Sequence, residues 1–338
     1  MDMDMRLFAG GNTCHGFMGY YEQMQKRARK ALYLKGGPGV GKSTFIREAA
    51  EKLLKKGHDV RLYACSGDPD SLDALWDDDE KLLIADGTQP HVLDPILPGA
   101  ADGILNLGTA LNEKWLAGQQ HEIAALQQHI SGRYQQAYRY LAAAEAVLQD
   151  AFSVYQDATD PNHLGALQKE LCVQLCPGAE GDGTDVFIQA ITCKGLISHL
   201  GWLRADQIIS LDLPWGFDAH RILRPLKAQA DLNHWAHTSY RDPLNPHRIA
   251  HLLIGRTLIT TAVMQEATRY ELTLQKGLIA NQFNRLSFDR AAYDLMLHQA
   301  YDALHEAKAL HDQLERYYTD AMDYEALSLL KKRALDGI

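Results

Sequence analysis

Residues 31–57 read ALYLKGGPGVGKSTFIREAAEKLLKKG. Ala31 to Leu34 is a short apolar run of strand type. Phe45, Ile46, Ala49, Ala50, Leu53 and Leu54 then recur at helical spacing until Gly57 offers a C-cap. Between them, Gly36-x4-Gly41-Lys42-Ser43 is the phosphate-binding P-loop pattern, in the strand, glycine loop, helix order that this chemistry requires. The stretch predicts an α/β fold, a P-loop nucleoside triphosphatase three-layer sandwich on a mostly parallel sheet.

The residue types follow from the task. Glycines let the backbone curl so that successive N–H groups point at phosphate oxygens, and the following helix adds the positive end of its dipole. The expected nucleotide-binding set is Gly36, Gly37, Pro38, Gly39, Val40, Gly41, Lys42, Ser43 and Thr44. Lys42 supplies a point charge to the β and γ phosphates, and the Ser43 hydroxyl is a Mg²⁺ ligand.

Downstream, DVRLYACS (59–66) alternates as a strand, and KLLIAD (81–86) is an apolar strand ending in Asp86. An acidic residue there suits a Walker B role in holding Mg²⁺; the competing reading is that Asp86-Gly87 starts a turn. Asp70 and Asp73, in Asp-Ser-Leu-Asp, read either as a helix N-cap or as groups that position water or Mg²⁺. His91, in GTQPHVLDP (87–95), reads as a γ-phosphate sensor or general base, or as a solvent-exposed loop histidine. The expected catalytic set is Lys42, Asp86, Asp70 and His91, with Ser43 and Asp86 on the metal. No glutamate follows Asp86 directly, so a familiar ATPase base is missing from its usual position.

The chain also repeats itself. FAGGNTCHGF (8–17) resembles FIQAITCKGL (187–196), 179 residues on. At an offset near 176, ALYLKGGPGVGKST falls on IISLDLPWGFDAH, pairing Pro38 with Pro214, Lys42 with Asp218 and Ser43 with Ala219. SGDPDSLD falls on YRDPLNPH, which pairs Asp70 with Leu244 and Asp73 with His247; Asp86 meets Thr261 and His91 meets Glu266. AYRYLAAAEAVL (137–148) and YQDATDPNHLGAL (155–167) recur 163 residues later. The expected organisation is therefore residues 1–178 as a domain with an intact Walker A loop and 179–338 as a degenerate copy. Thr13, Cys14, Gly16, Asp68 and Pro69, shared by both halves, are expected to be structural.

Composition sets the class. The 338 residues are 46% hydrophobic with a formal net charge of −9, which suits buried cores and makes nucleic acid an unlikely partner. No apolar run reaches membrane length and the start MDMDMR is acidic, so no membrane partner and a cytoplasmic location are expected. The five cysteines read as reduced thiols, with Cys172 and Cys176 on one helix face. Residues 111–157 and 290–318 are helix-forming, and read as helices packed on each other or as a lid from which Arg133 and Arg139 reach a triphosphate.

FAGGNTCHGF, LYLKGGPGVGKST, CSGDPDSLD, DGTQPHVLDP and RYLAAAEA resemble the hallmark stretches of uncharacterised bacterial P-loop ATPases built as two tandem nucleotide-binding halves. The resemblance covers nearly the whole first half and, more weakly, the second. It implies ATP and Mg²⁺ as ligands; the chain departs from it at 218–219, where no P-loop lysine or serine stands. Three functions are open: an ATPase with one active site, in which Arg221 or Arg241 of the second half acts as a finger; a small-molecule or nucleotide kinase; and a non-hydrolysing ATP-sensing scaffold for an unidentified protein partner.

Overall fold

The computed structural model describes residues 6–264 and 266–338; the acidic start at 1–5 and residue 265 lie outside the described residues. The first half runs β1 (Arg6–Leu7), the hairpin β2 (Gly10–Thr13) and β3 (Gly16–Gly19), α1 (Tyr21–Arg27), β4 (Lys30–Lys35) and α2 (Lys42–Lys55). It continues with β5 (Val60–Ala64), β6 (Leu72–Asp77), β7 (Leu82–Asp86), β8 (Asp102–Asn106), α3 (Glu113–Gly118), α4 (Gln120–Asp157) and α5 (Pro161–Gln174). The second half runs β9 (Gly183–Val186), the hairpin β10 (Gln189–Thr192) and β11 (Gly195–Ser198), β12 (Gln207–Asp212), α6 (His220–Leu232) and β13 (His237–Arg241). Then come β14 (Ile249–Ile254), β15 (Thr257–Thr260), β16 (Thr268–Glu271), α7 (Lys276–Asn281), α8 (Phe283–Asp320) and α9 (Tyr324–Asp336).

Each half builds one six-stranded sheet, ordered β1-β5-β6-β7-β4-β8 and β9-β13-β14-β15-β12-β16. The two orders are the same once each second-half strand is matched to its counterpart. In both sheets one strand, β6 or β14, runs antiparallel to its neighbours and the remaining pairings are parallel. β6 is buried at every position, which explains why its sequence carries no strand alternation. Asp70 and Asp73 therefore precede and enter a strand; no helix follows for them to cap.

Helices cover one face of each sheet. Phe45, Ile46, Ala49 and Leu53 of α2 bury against Leu62, Leu75 and Ile84, and Ile222, Leu223 and Leu226 of α6 bury against Ile209, Leu252 and Ile259. The opposite faces share a core in which Tyr63, Trp76 and Leu83 of the first sheet meet Val186, Tyr240 and Leu258 of the second. The second helical layer of the expected three-layer sandwich is thus taken by the partner sheet.

The halves meet about a pseudo-twofold axis. Phe8 and Phe187 exchange backbone hydrogen bonds of 2.9 and 3.1 Å, and the buried Asn12 amide of one hairpin donates to the Ile191 carbonyl of the other at 2.9 Å. Above the hairpins, α4 and α8, each 38 residues long, pack along one another through Ala137, Leu141 and Ala144 against Ala300, Ala303 and Leu304. The last helices are exchanged. Following the Asp323 cap, α9 of the second half lies on α2, where Lys331 pairs with Glu48 at 2.6 Å. Following the Asp160 cap, α5 of the first half lies on α6, where the Gln168 amide donates to the Arg221 carbonyl at 2.9 Å. All five cysteines are free; α5 ends at Gln174, so Cys176 does not share a helix with Cys172.

Candidate functional site

β4 delivers the chain into the glycine loop at the edge it shares with β7 and β8. Gly36, Gly39 and Gly41 have φ of 139°, 71° and 86°, left-handed conformations that favour glycine, and Gly41 is the cap of α2. The loop thus curls around the start of α2, whose first N–H groups have no side-chain cap among the described residues. Lys42 folds back over it: Nζ donates to the Gly36 and Gly37 carbonyls at 3.1 and 2.9 Å and lies 3.5 Å from Asp86 Oδ2. Asp86, at the end of the neighbouring β7, is oriented by the Thr88 N–H and hydroxyl, which both donate to Oδ1, at 2.9 and 2.6 Å. Ser43 Oγ accepts the Leu72 N–H at 2.9 Å.

The loop opens into a cavity of about 830 Å³ lined by residues 38–44, Asp68, Asp73, Asp86, His91, Tyr134 and Tyr138, and by Lys308, His311 and Glu315 of α8. The long helices pack together, and both contribute residues to the cavity lining. Arg133 and Arg139 are not on that wall: Arg133 pairs with Glu306 at 2.9 Å and Arg139 is exposed. Arg221 and Arg241 are also elsewhere, over the Phe217 ring and against Asp185.

His91 is not a solvent-exposed loop residue. Its side chain is 5% exposed, packed on Tyr21 and near Phe17, with Nε2 3.3 Å from Asp73 Oδ2. The Tyr21 hydroxyl donates to the same carboxylate oxygen at 3.1 Å, and among the described residues no partner meets His91 Nδ1. Lys35 Nζ staples the loop that carries His91 by donating to the Gly87 and Leu93 carbonyls, each at 2.8 Å. Burial opposes a charge on the ring, but the bond to Asp73 and the fields of Asp73 and Asp86 outweigh it, so the His91 pKa stands above its usual value. Burial, reinforced by Asp73, pushes the Cys65 thiol well up and makes it a poor nucleophile.

Of the expected catalytic set, Asp70 is the residue that the fold leaves outside the cavity. It is exposed, pairs with Lys194 of the second hairpin and does not line the cavity. Asp68, expected to be structural, does line it. His311, Asp312 and Glu315 bring metal-ligand atoms within 4.8 Å of one another on α8, as do His58, Asp77 and Asp79 at the far end of β6.

The second half corrects the sequence register. Phe45, Ile46, Ala49 and Leu53 are matched in burial by Ile222, Leu223, Leu226 and Ala230, an offset of 177. His220 Nδ1 accepts the Ile249 N–H at 3.2 Å, as Ser43 Oγ accepts that of Leu72. Lys42 is therefore matched by Ala219 and Ser43 by His220, one position on from the expected Asp218 and Ala219. At the same offset, Asp70 and Asp73 match His247 and Ala250 rather than Leu244 and His247. Ser71 matches Arg248, which is buried between Glu145 and Asp242 with its guanidinium over Phe152. The second half thus lacks the loop lysine and places an arginine-carboxylate cluster beside its loop.

No family model, curated protein or solved structure matches this chain. The functional reading rests on the residues and their geometry.

Proposed function

We propose that the first half binds a nucleoside triphosphate, ATP by resemblance, with Mg²⁺ at the glycine loop and hydrolyses its terminal phosphate, with one active site per chain. The observation that carries this reading is Lys42, held by the loop's own carbonyls beside Asp86 at the mouth of an uncapped helix. A lysine so placed can exchange those carbonyls for phosphate oxygens with little movement, while the loop N–H groups and the α2 dipole meet the remaining charge.

Ser43 and Asp86 offer hard oxygen donors to the same cavity, a donor set that fits Mg²⁺. Bound there, the ion would neutralise charge on the phosphates. Of the two roles expected for His91, its raised pKa favours the sensor: a charged imidazole held by Asp73 donates a hydrogen bond to a phosphate oxygen, whereas a base must first lose that proton.

The test is turnover with ATP and GTP in the presence of Mg²⁺, alongside a binding titration and the Lys42→Ala variant. One nucleotide bound per wild-type chain, with hydrolysis abolished by the substitution, is expected; wild-type protein that binds neither nucleotide rules the reading out.

A second reading, phosphoryl transfer to a small acceptor, is favoured by the volume of the cavity and by Asn12, Phe17, Tyr134 and Tyr138 on its wall, which offer an amphipathic surface beyond the phosphate loop. Diphosphate release stimulated by added acceptors distinguishes it from simple hydrolysis.

A further inference from the structure

The wall facing the glycine loop comes from the second half. α8 presents Lys308, His311 and Glu315 to the cavity, while the Tyr318 ring leaves no room for a side chain at Gly37, where a Cβ would lie 2.4 Å from ring carbons. Lys308 Nζ is 3.3 Å from Asp68 and also pairs with Asp312; His311 stands beside it, and burial, helped by the charges of Lys308 and Lys42, holds the His311 pKa below its usual value.

The internal repeat supplies a control. At the 163-residue offset of the long helices, Lys308, His311, Glu315 and Tyr318 correspond to Glu145, Leu148, Phe152 and Tyr155 of α4, which faces the second loop. The tyrosine is kept and again lies against its loop: a Cβ on Gly216 would lie 3.4 Å from the Tyr155 ring, with Ala151 closer at 2.8 Å. The contact of Lys308 with Asp68 is also kept in position, as the Asn245 amide donating to Glu145 at 2.8 Å, but its charge is reversed. The half whose loop has Lys42 faces a lysine and a histidine; the half whose loop has Ala219 faces a glutamate and a leucine. Packing accounts for the shared tyrosine, and the lysine needs a different cause.

We infer that Lys308, with His311 beside it, forms a cationic subsite for the terminal phosphate of a nucleoside triphosphate bound at the glycine loop, supplied to the first half's site by the second half. The inference rests on the nucleotide reading of that loop. Lys308 is parked on two carboxylates at a quarter exposure, and its four-carbon stem lets the ammonium leave them for a phosphate carrying more charge. A diphosphate lacks the group that Lys308 holds, so the subsite discriminates triphosphate from diphosphate. Because α8 packs along α4, that contact also ties the terminal phosphate to the joint between the halves.

The test titrates Mg²⁺ with a non-hydrolysable ATP analogue, and separately with ADP, into wild-type protein and the Lys308→Met, Lys308→Arg and His311→Ala variants, with melting curves to show that each is folded. Lys308→Met is expected to weaken the triphosphate analogue about tenfold and to change ADP affinity by less than about twofold. Lys308→Arg should keep the preference, and His311→Ala, which leaves Lys308 in place if the lysine variants misfold, should reduce it. Equal losses for both nucleotides, or none in any variant, overturn the subsite while leaving the loop reading intact. Absence of nucleotide binding in the wild type overturns both.

Discussion

Lys42 Nζ, at the first residue of α2, and Asp86 Oδ2, at the end of β7, stand 3.5 Å apart, with side chains only 12% and 15% exposed. They form an ion pair, and in the proposed reading a phosphate and a metal ion would take over these roles. Lys42→Ala and Asp86→Asn should each lower turnover by about 10²- to 10³-fold, the cost of one pre-placed group that stabilises developing charge. The two should differ in binding: Lys42→Ala weakens nucleotide affinity with or without metal, whereas Asp86→Asn weakens it chiefly when Mg²⁺ is present. Phosphate release and titrations with and without Mg²⁺ separate them, and an Asp86→Asn variant with unchanged Mg²⁺ dependence removes Asp86 from the metal.

How much of this was legible in the sequence depended on what carries information over short range. The repeat was legible: Phe8 does meet Phe187, and the long helices α4 and α8 begin and end at the 163-residue offset found by matching their alanine-rich segments. The loop register was off by one because Pro38 and Pro214 were aligned on identity, whereas the buried positions of α2 and α6 fix the true equivalence. β6 was missed as a strand because a segment buried on both faces has no alternation to find. His91 looked exposed because its loop is rich in Gly, Pro and polar residues; what buries it is Tyr21 and Phe17, some 70 residues earlier. Lys308 had no local signal at all, and only its mismatch with Glu145 in the repeat could have raised it.

Stability should report the His91 contact. The His91 pKa is raised in the folded protein, so the contact with Asp73 stabilises fully below the unfolded value of about 6.5 and fades as pH rises through the higher folded value. Wild-type protein should therefore exceed His91→Gln in urea-unfolding free energy by more at pH 6 than at pH 9. A gap that is constant, or that widens with pH, means that the ring is neutral in the fold.

His251 has the opposite sign. It is 2% exposed on β14, with Nδ1 2.8 Å from the Thr260 hydroxyl and Nε2 3.1 Å from Gln189 Oε1, an arrangement that suits one neutral tautomer. Burial pushes its pKa down to about 4. Its stabilising contribution is present above about pH 6.5 and is lost as pH falls towards 4, a cost of about 3 kcal/mol once the ring must charge. His251→Gln, which can still accept from Thr260 and donate to Gln189, should flatten the fall in unfolding free energy between pH 7 and pH 4.5. An unchanged slope would assign acid sensitivity to other groups.

The cluster at Arg248 gives the second half a role that does not need a nucleotide. Arg248 is 6% exposed and bonds to both oxygens of Glu145 and to Asp242; the pairing outweighs burial and holds its own pKa above the ordinary arginine value. Removing the guanidinium leaves two carboxylates facing each other in a half-buried pocket, so Arg248→Met should cost about 3 kcal/mol. Glu145→Gln in the same chain relieves that repulsion, so the double variant should be more stable than the sum of the two single losses implies. Because the cluster stands beside Ala219 and His220 rather than Lys42, nucleotide affinity and the stoichiometry of one per chain should not change in any of the three variants. If removing the arginine instead allowed a second nucleotide to bind, the cluster would be a plug in a usable site, and the degenerate half would be held shut by its own charges.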